Sequence, residues 1–179
     1  MKKQGNAWSV PVVVEDIPET GLHLAIEAPE TARAEVAALA GLRDLPRLSA
    51  VFDLSRKGAG VHVTGQVSAR VGQTCVVTLE PIENAVEEAV DLDFAPASGV
   101  EPDAKTRRKR TREDEGEPEP LVGGSLDLGA LATEFLILGI DPYPRKPGAE
   151  FAPPQDEDTG EHPFAALESL KKTLGRGQS

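Results

Sequence analysis

Two stretches of strict alternation around one glycine-rich turn constrain this chain more than any other feature. Leu48, Ala50, Phe52 and Leu54 take every second position, the chain turns at Lys57-Gly58-Ala59-Gly60, and Val61, Val63, Val67, Ala69 and Val71 carry the apolar set back. His62, Thr64, Gln66, Ser68 and Arg70 fill the intervening positions. A period of two sends one set toward a core and the other toward solvent, and a glycine-containing turn between two such runs predicts a long β-hairpin. One apolar face of that length needs further elements to cover it.

The flanking segments supply them. Cys75, Val77 and Leu79 alternate as a next strand closed by Pro81, and Val86, Val90, Leu92 and Phe94 as another, with Glu87, Asp91 and Asp93 on its opposite face. Upstream, the β-branched run Trp8 to Val14 reads as a first strand, with Pro11 suited to an edge. Leu22, Leu24, Ile26 and Ala28 alternate as a second, with His23 on the other face. Pro29 opens a short amphipathic helix whose stripe is Ala32, Val36, Leu39 and Ala40, with Gly41 as its stop. The expected fold class is α+β: an antiparallel meander or partly closed sheet with two main helices packed on it.

The second helix lies in Leu126 to Gly148, where Leu128, Leu131, Ala132, Phe135 and Leu138 form one stripe. Ser125 or Asp127 can cap its start, and Gly139 with Pro142 can end it. Its exit, Asp141-Pro142-Tyr143-Pro144-Arg145-Lys146-Pro147-Gly148, holds three prolines, the single tyrosine and a cationic pair. Proline fixes its own φ and restrains its neighbour, so this segment is stiff at little entropic cost. Such an exit serves either as a strap that locks the helix down or as a display of side chains to a partner.

The expected organisation is a β-rich core with the first helix over 1–95, a disordered charged insertion over 96–124, the second helix and proline-rich motif over 125–152, and a flexible tail with a short helix over 153–179. The insertion carries almost no apolar side chains. In the tail, Phe164, Leu167 and Leu170 recur at threes.

A net charge of −11 disfavours a general nucleic-acid binder and docking on an anionic membrane. The basic run Lys105, Arg107, Arg108, Lys109, Arg110 and Arg112 could grip phosphate, but acids flank it on both sides, and a charge-balanced linker is the preferred reading. A lone cysteine excludes a disulfide framework and suits a reducing cytosol. No leader-like or membrane-length apolar run follows Met1, so a soluble cytoplasmic protein is expected. Cys75 sits among core-type residues with no base at useful spacing, and His23, His62 and His162 have no ligand spacing to anything. No phosphate loop, nucleophile elbow or zinc-protease helix occurs, so neither catalysis, a cofactor, a metal nor a small-molecule substrate is expected.

Two segments together, QTCVVTLEP at 73–81 and LDLGALATEFLILGIDPYPRKPGAEF at 126–151, resemble the YceD-like family of large-subunit ribosomal RNA accumulation proteins. The closest resemblance is to its alphaproteobacterial-type branch. The opening Trp8-Ser9-Val10-Pro11-Val12, the helix after Pro29 and Pro163 to Leu167 are similar too. Many relatives carry a C-x-x-C pair where this chain has Cys75-x-x-Thr78, and some carry further cysteines where it reads Pro142-Tyr143-Pro144. A closed zinc site needs about four ligands, so this chain cannot build one from cysteine.

The resemblance implies a non-enzymatic factor in large-subunit ribosomal RNA accumulation, processing or assembly. It would bind a basic ribosomal protein or pre-ribosomal RNA, the former being favoured by charge. Candidate contact residues are Glu80, Asp141, Tyr143, Arg145 and Lys146. Two alternatives from other classes stand beside it. One is a metal-dependent hydrolase or nuclease using surface carboxylates such as Glu80, and the other a protein adaptor unrelated to ribosomes.

Overall fold

The alternating hairpin is the centre of the molecule. The computed structural model describes residues 6–96 and 118–151. In it β3 (Asp44–Lys57) and β4 (Gly60–Thr74) run antiparallel with Leu48 opposite Ala69, Ala50 opposite Val67 and Leu54 opposite Val63. This register brings both apolar sets onto one face, where Leu48, Phe52, Val63, Val67 and Val71 are fully buried. The connection is the two residues Gly58 and Ala59, and Gly58 takes the left-handed φ of +64° that glycine adopts without a Cβ clash. At Gly65, opposite Phe52, any Cβ would collide with the carbonyl of Val51 and the ring of Phe52. The glycine leaves room for Phe52, the largest of the fully buried side chains.

Strands add on both sides of the hairpin. β2 (Leu22–Glu27) pairs antiparallel with β3, β5 (Pro81–Pro96) pairs antiparallel with β4, and β6 (Glu119–Leu121) joins β5 in parallel. The order is β2-β3-β4-β5-β6, an open and mostly antiparallel sheet. β1 (Pro11–Val13) and β7 (Ser125–Asp127) form a separate two-stranded ribbon. Helix α1 (Glu30–Leu39) packs against β3, and α2 (Leu128–Gly139) against β4 and β5. The fold is α+β, as the patterning predicts.

The entry of α2 is tied down by one carboxylate. Asp127 caps the helix through Oδ1, which accepts from the N–H groups of Gly129 (3.1 Å) and Ala130 (3.2 Å), and the same oxygen takes the Val10 N–H at 2.8 Å. Its Oδ2 accepts from Asn6 Nδ2 (2.8 Å) and Ser9 Oγ (2.7 Å). Partial burial works against ionisation, yet these donors outweigh it and hold the carboxyl below its ordinary pKa.

Several expectations are corrected. Cys75, Val77 and Leu79 do not form a strand: Cys75–Glu80 is the loop between β4 and β5, and Pro81 opens β5 instead of closing a strand. The first strand shrinks to Pro11–Val13, although Trp8 is buried ahead of it. Leu126 belongs to β7 and not to the helix. Leu39 and Leu138 are exposed at 65% and 71%, while Leu136 is fully buried. The helical stripe must advance by four as often as by three, and stepping from Phe135 to Leu138 rotates off the sheet. Gly139 is the residue that faces the sheet there, since a Cβ on it would meet Val86 and Glu88.

The far end of the expected insertion is structured, because Leu121 buries itself and its segment pairs with β5. Residues 97–117, with the basic run, and 152–179, with the tail helix and His162, lie outside the described residues. Met1–Ala149 and Glu150–Ser179 are separate units, and every strand and helix named above belongs to the first. Among the described residues no helix is long and apolar enough to cross a membrane.

Candidate partner-binding site

Where β4 passes to β5, the chain makes a six-residue loop that local chemistry alone does not explain, since it contains no glycine or asparagine. It closes on itself through Cys75 N–H to the Glu80 carbonyl and Leu79 N–H to the Cys75 carbonyl, both 2.9 Å. Leu79 takes a φ of +60°, the one described non-glycine residue in that region. A backbone held there needs support from outside, and the support comes from the exit of α2.

That exit runs against the loop and is bonded to it at several points. Val76 N–H donates to the Pro144 carbonyl at 2.9 Å, and Lys146 N–H donates to Cys75 Sγ at 3.3 Å. Thr78 N–H reaches the same sulfur at 3.4 Å. Lys146 Nζ donates to Glu80 Oε2 at 2.9 Å. Just inside, buried Gln73 donates from Nε2 to the Asp141 carbonyl and accepts from Asn84 Nδ2, both at 2.9 Å. Asp141 Oδ1 takes the Tyr143 N–H at 2.8 Å, turning the chain as it leaves Ile140. Pro144 is buried, and the prolines on either side of Tyr143 restrict the backbone where the chain bends.

The electrostatics follow from these contacts. The Lys146 N–H, then the hydrogen bonds of Thr78, draw the Cys75 thiol down to about 6 against the opposing effect of burial. Lys146 holds the Glu80 carboxyl below its ordinary range, and Glu80 in turn raises the Lys146 ammonium. The sulfur is fully buried and faces donors, two N–H groups and a nearby ammonium, where a metal centre would require other electron-pair donors. Among the described residues no three His, Cys, Asp or Glu side chains converge on one point in a way that could hold a metal ion.

The structure thus brings Glu80, Asp141, Tyr143 and Lys146, named from sequence, to one end of the sheet, with Arg145 exposed beside them. Glu80 and Lys146 neutralise each other. Asp141 acts as a turn-former. Tyr143 projects outward at 72% exposure. Sequence reasoning missed Val76 and Leu79, exposed at 45% and 75%, because it assigned them to a strand. Cys75 is buried, as expected, but sequence reasoning did not show that its sulfur also accepts the N–H bonds that join loop and exit. Away from this end, Asp91 and Asp93 lie on the face of the sheet opposite the two described helices. There Asp93 takes Lys57 Nζ at 2.8 Å and His62 Nδ1 at 2.9 Å, and its pKa is lowered chiefly by Lys57.

Residues 63–171 match a family model described as Large ribosomal RNA subunit accumulation protein YceD. That span takes in the whole loop and the whole exit. No curated protein and no solved structure matches the chain.

Proposed function

We propose, given that this chain belongs to the YceD family of large ribosomal RNA subunit accumulation proteins, that it supports accumulation of that RNA by binding and not by catalysis. The clasped loop and exit are the proposed contact surface, and a basic ribosomal protein of the large subunit the proposed partner. One observation carries this reading. Val76, Leu79 and Tyr143 hold apolar surface outward on backbone that hydrogen bonds and prolines keep rigid, so little order is lost when a partner covers them. A protein partner is preferred to RNA because Glu80 already neutralises Lys146 and the chain as a whole carries −11.

The test is capture of partners on the tagged full-length chain, with and without nuclease treatment, alongside gels of precursor and mature ribosomal RNA from cells lacking the protein. Large-subunit proteins retained after nuclease support the proposal. Retention lost with nuclease assigns the contact to RNA. Normal large-subunit RNA in the deleted cells, with no large-subunit component captured, overturns the reading.

A further inference from the structure

β5 is the longest strand in the sheet and the one left most open. Its inner edge pairs with β4 from Pro81 to Phe94, while among the described residues its outer edge meets β6 over Phe94–Pro96 alone. Among the described residues, no backbone group of 81–93 hydrogen-bonds outside β4. An antiparallel strand turns alternate pairs of N–H and C=O groups away from its neighbour, so this stretch presents a row of groups ready to pair. β2 is an edge too, but it is six residues long and ends in α1.

The side chains on β5 specify what could pair there. Glu83, Glu87 and Asp91 stand exposed on the face of the sheet opposite the two described helices, with the small Ala85 and Ala89 between them. On the other face Val86 and Val90 are buried beneath α2, and Ile82, Asn84, Glu88 and Leu92 alternate with or flank them half-buried. A strand laid beside β5 would set alternate residues against acids on one face and, on the other, against a row in which four aliphatic side chains outnumber Asn84 and Glu88. We propose that the outer edge of β5 takes up an extended segment of a partner protein in which basic and apolar residues alternate.

A second copy of this chain fits poorly, since pairing β5 with β5 would set carboxylates opposite or diagonal to carboxylates. The same acids that guard the edge against self-association select a cationic strand. This inference does not rest on the ribosomal reading: it concerns a different surface and holds for a basic strand of any origin.

The experiment uses the full-length protein and three short synthetic peptides. One alternates lysine with valine, the second has the same composition in shuffled order, and the third alternates glutamate with valine. Amide exchange and binding titrations are read together. The lysine–valine alternation should bind, weaken with salt and protect amides between Ile82 and Leu92, and the other two should bind about tenfold more weakly or not at all. N-methylating its alternate residues should abolish binding in one phase and spare it in the other, because only one set of peptide N–H groups faces β5. The exposed double variant Glu83→Lys, Glu87→Lys should keep the unfolding midpoint and lose about tenfold in affinity. Equal binding of the shuffled peptide, protection confined to another region, or outward β5 amides already protected in the free protein would each overturn the proposal. The last result would mean that the chain covers this edge itself.

Discussion

Asp127 is where a single carboxylate does the most for the architecture that carries the site. Five donors converge on it: three backbone N–H groups on Oδ1 and two side chains on Oδ2. Removing the cap in Asp127→Ala should cost about 1 kcal/mol, as for other helix N-caps. Stranding the partly buried Val10 N–H should add about 1 kcal/mol, whereas exposed Asn6 and Ser9 recover their hydrogen bonds from water. The total of about 2 kcal/mol corresponds to a fall of about 4–8 °C in unfolding midpoint for a domain of this size. Asp127→Asn should lose less than half of that, because its carbonyl can still serve the three backbone donors. The sign of the pH dependence follows from the lowered folded pKa. The ionised carboxylate stabilises the fold above its unfolded value of about 3.9 and loses that contribution as pH falls through the folded value. The gap between the parent and Asp127→Asn should therefore close on acidification below about pH 4. Urea unfolding at a series of pH values measures it. A loss under about 0.5 kcal/mol for Asp127→Ala, or a gap that widens in acid, would refute the reasoning.

Other outcomes can be checked by similar means. Cys75→Ala should flatten a rise in stability between about pH 6 and about pH 8.5, since a thiol lowered on folding stabilises above its unfolded pKa and ceases to do so as pH falls through the folded one; parallel pH–stability curves for parent and variant would contradict this. Gly65→Ala should lower stability by about 1–3 kcal/mol in denaturant titrations, because the new methyl meets the Val51 carbonyl and the Phe52 ring. Tyr143→Ala should keep the unfolding midpoint within about 2 °C of the parent yet lower the mature large-subunit ribosomal RNA measured in complemented cells. If that variant unfolds, the exit is a strap and the display reading fails.

The hairpin and the two helices were legible because each repeats a local period against a continuous core. The face of the sheet followed from alternation alone, and Gly58 marked the turn. What alternation could not show was that it stops at Cys75. Cys75, Val77 and Leu79 keep the apolar rhythm of a strand, and no turn residue interrupts them before Pro81. The loop exists because Pro144 and Lys146 arrive from far along the chain to bond it, and a window of neighbours carries no trace of such a contact. The exit was easier to single out, since three prolines around one tyrosine stand apart in composition. Leu138 misled for another reason: spacing by three and by four are both helical, and only the facing sheet decides between them.

The joining of loop and exit also has a consequence in time. Lys146 lies 71 positions after the sulfur it bonds. At roughly 5–20 residues per second of synthesis, the loop waits about 4–14 s for that contact after Cys75 has been made. The sheet and its hairpins can begin to assemble in that interval, but the clasped surface cannot. A nascent or prematurely ended chain would have a scaffold and no contact surface, so the surface itself certifies that translation has passed the exit.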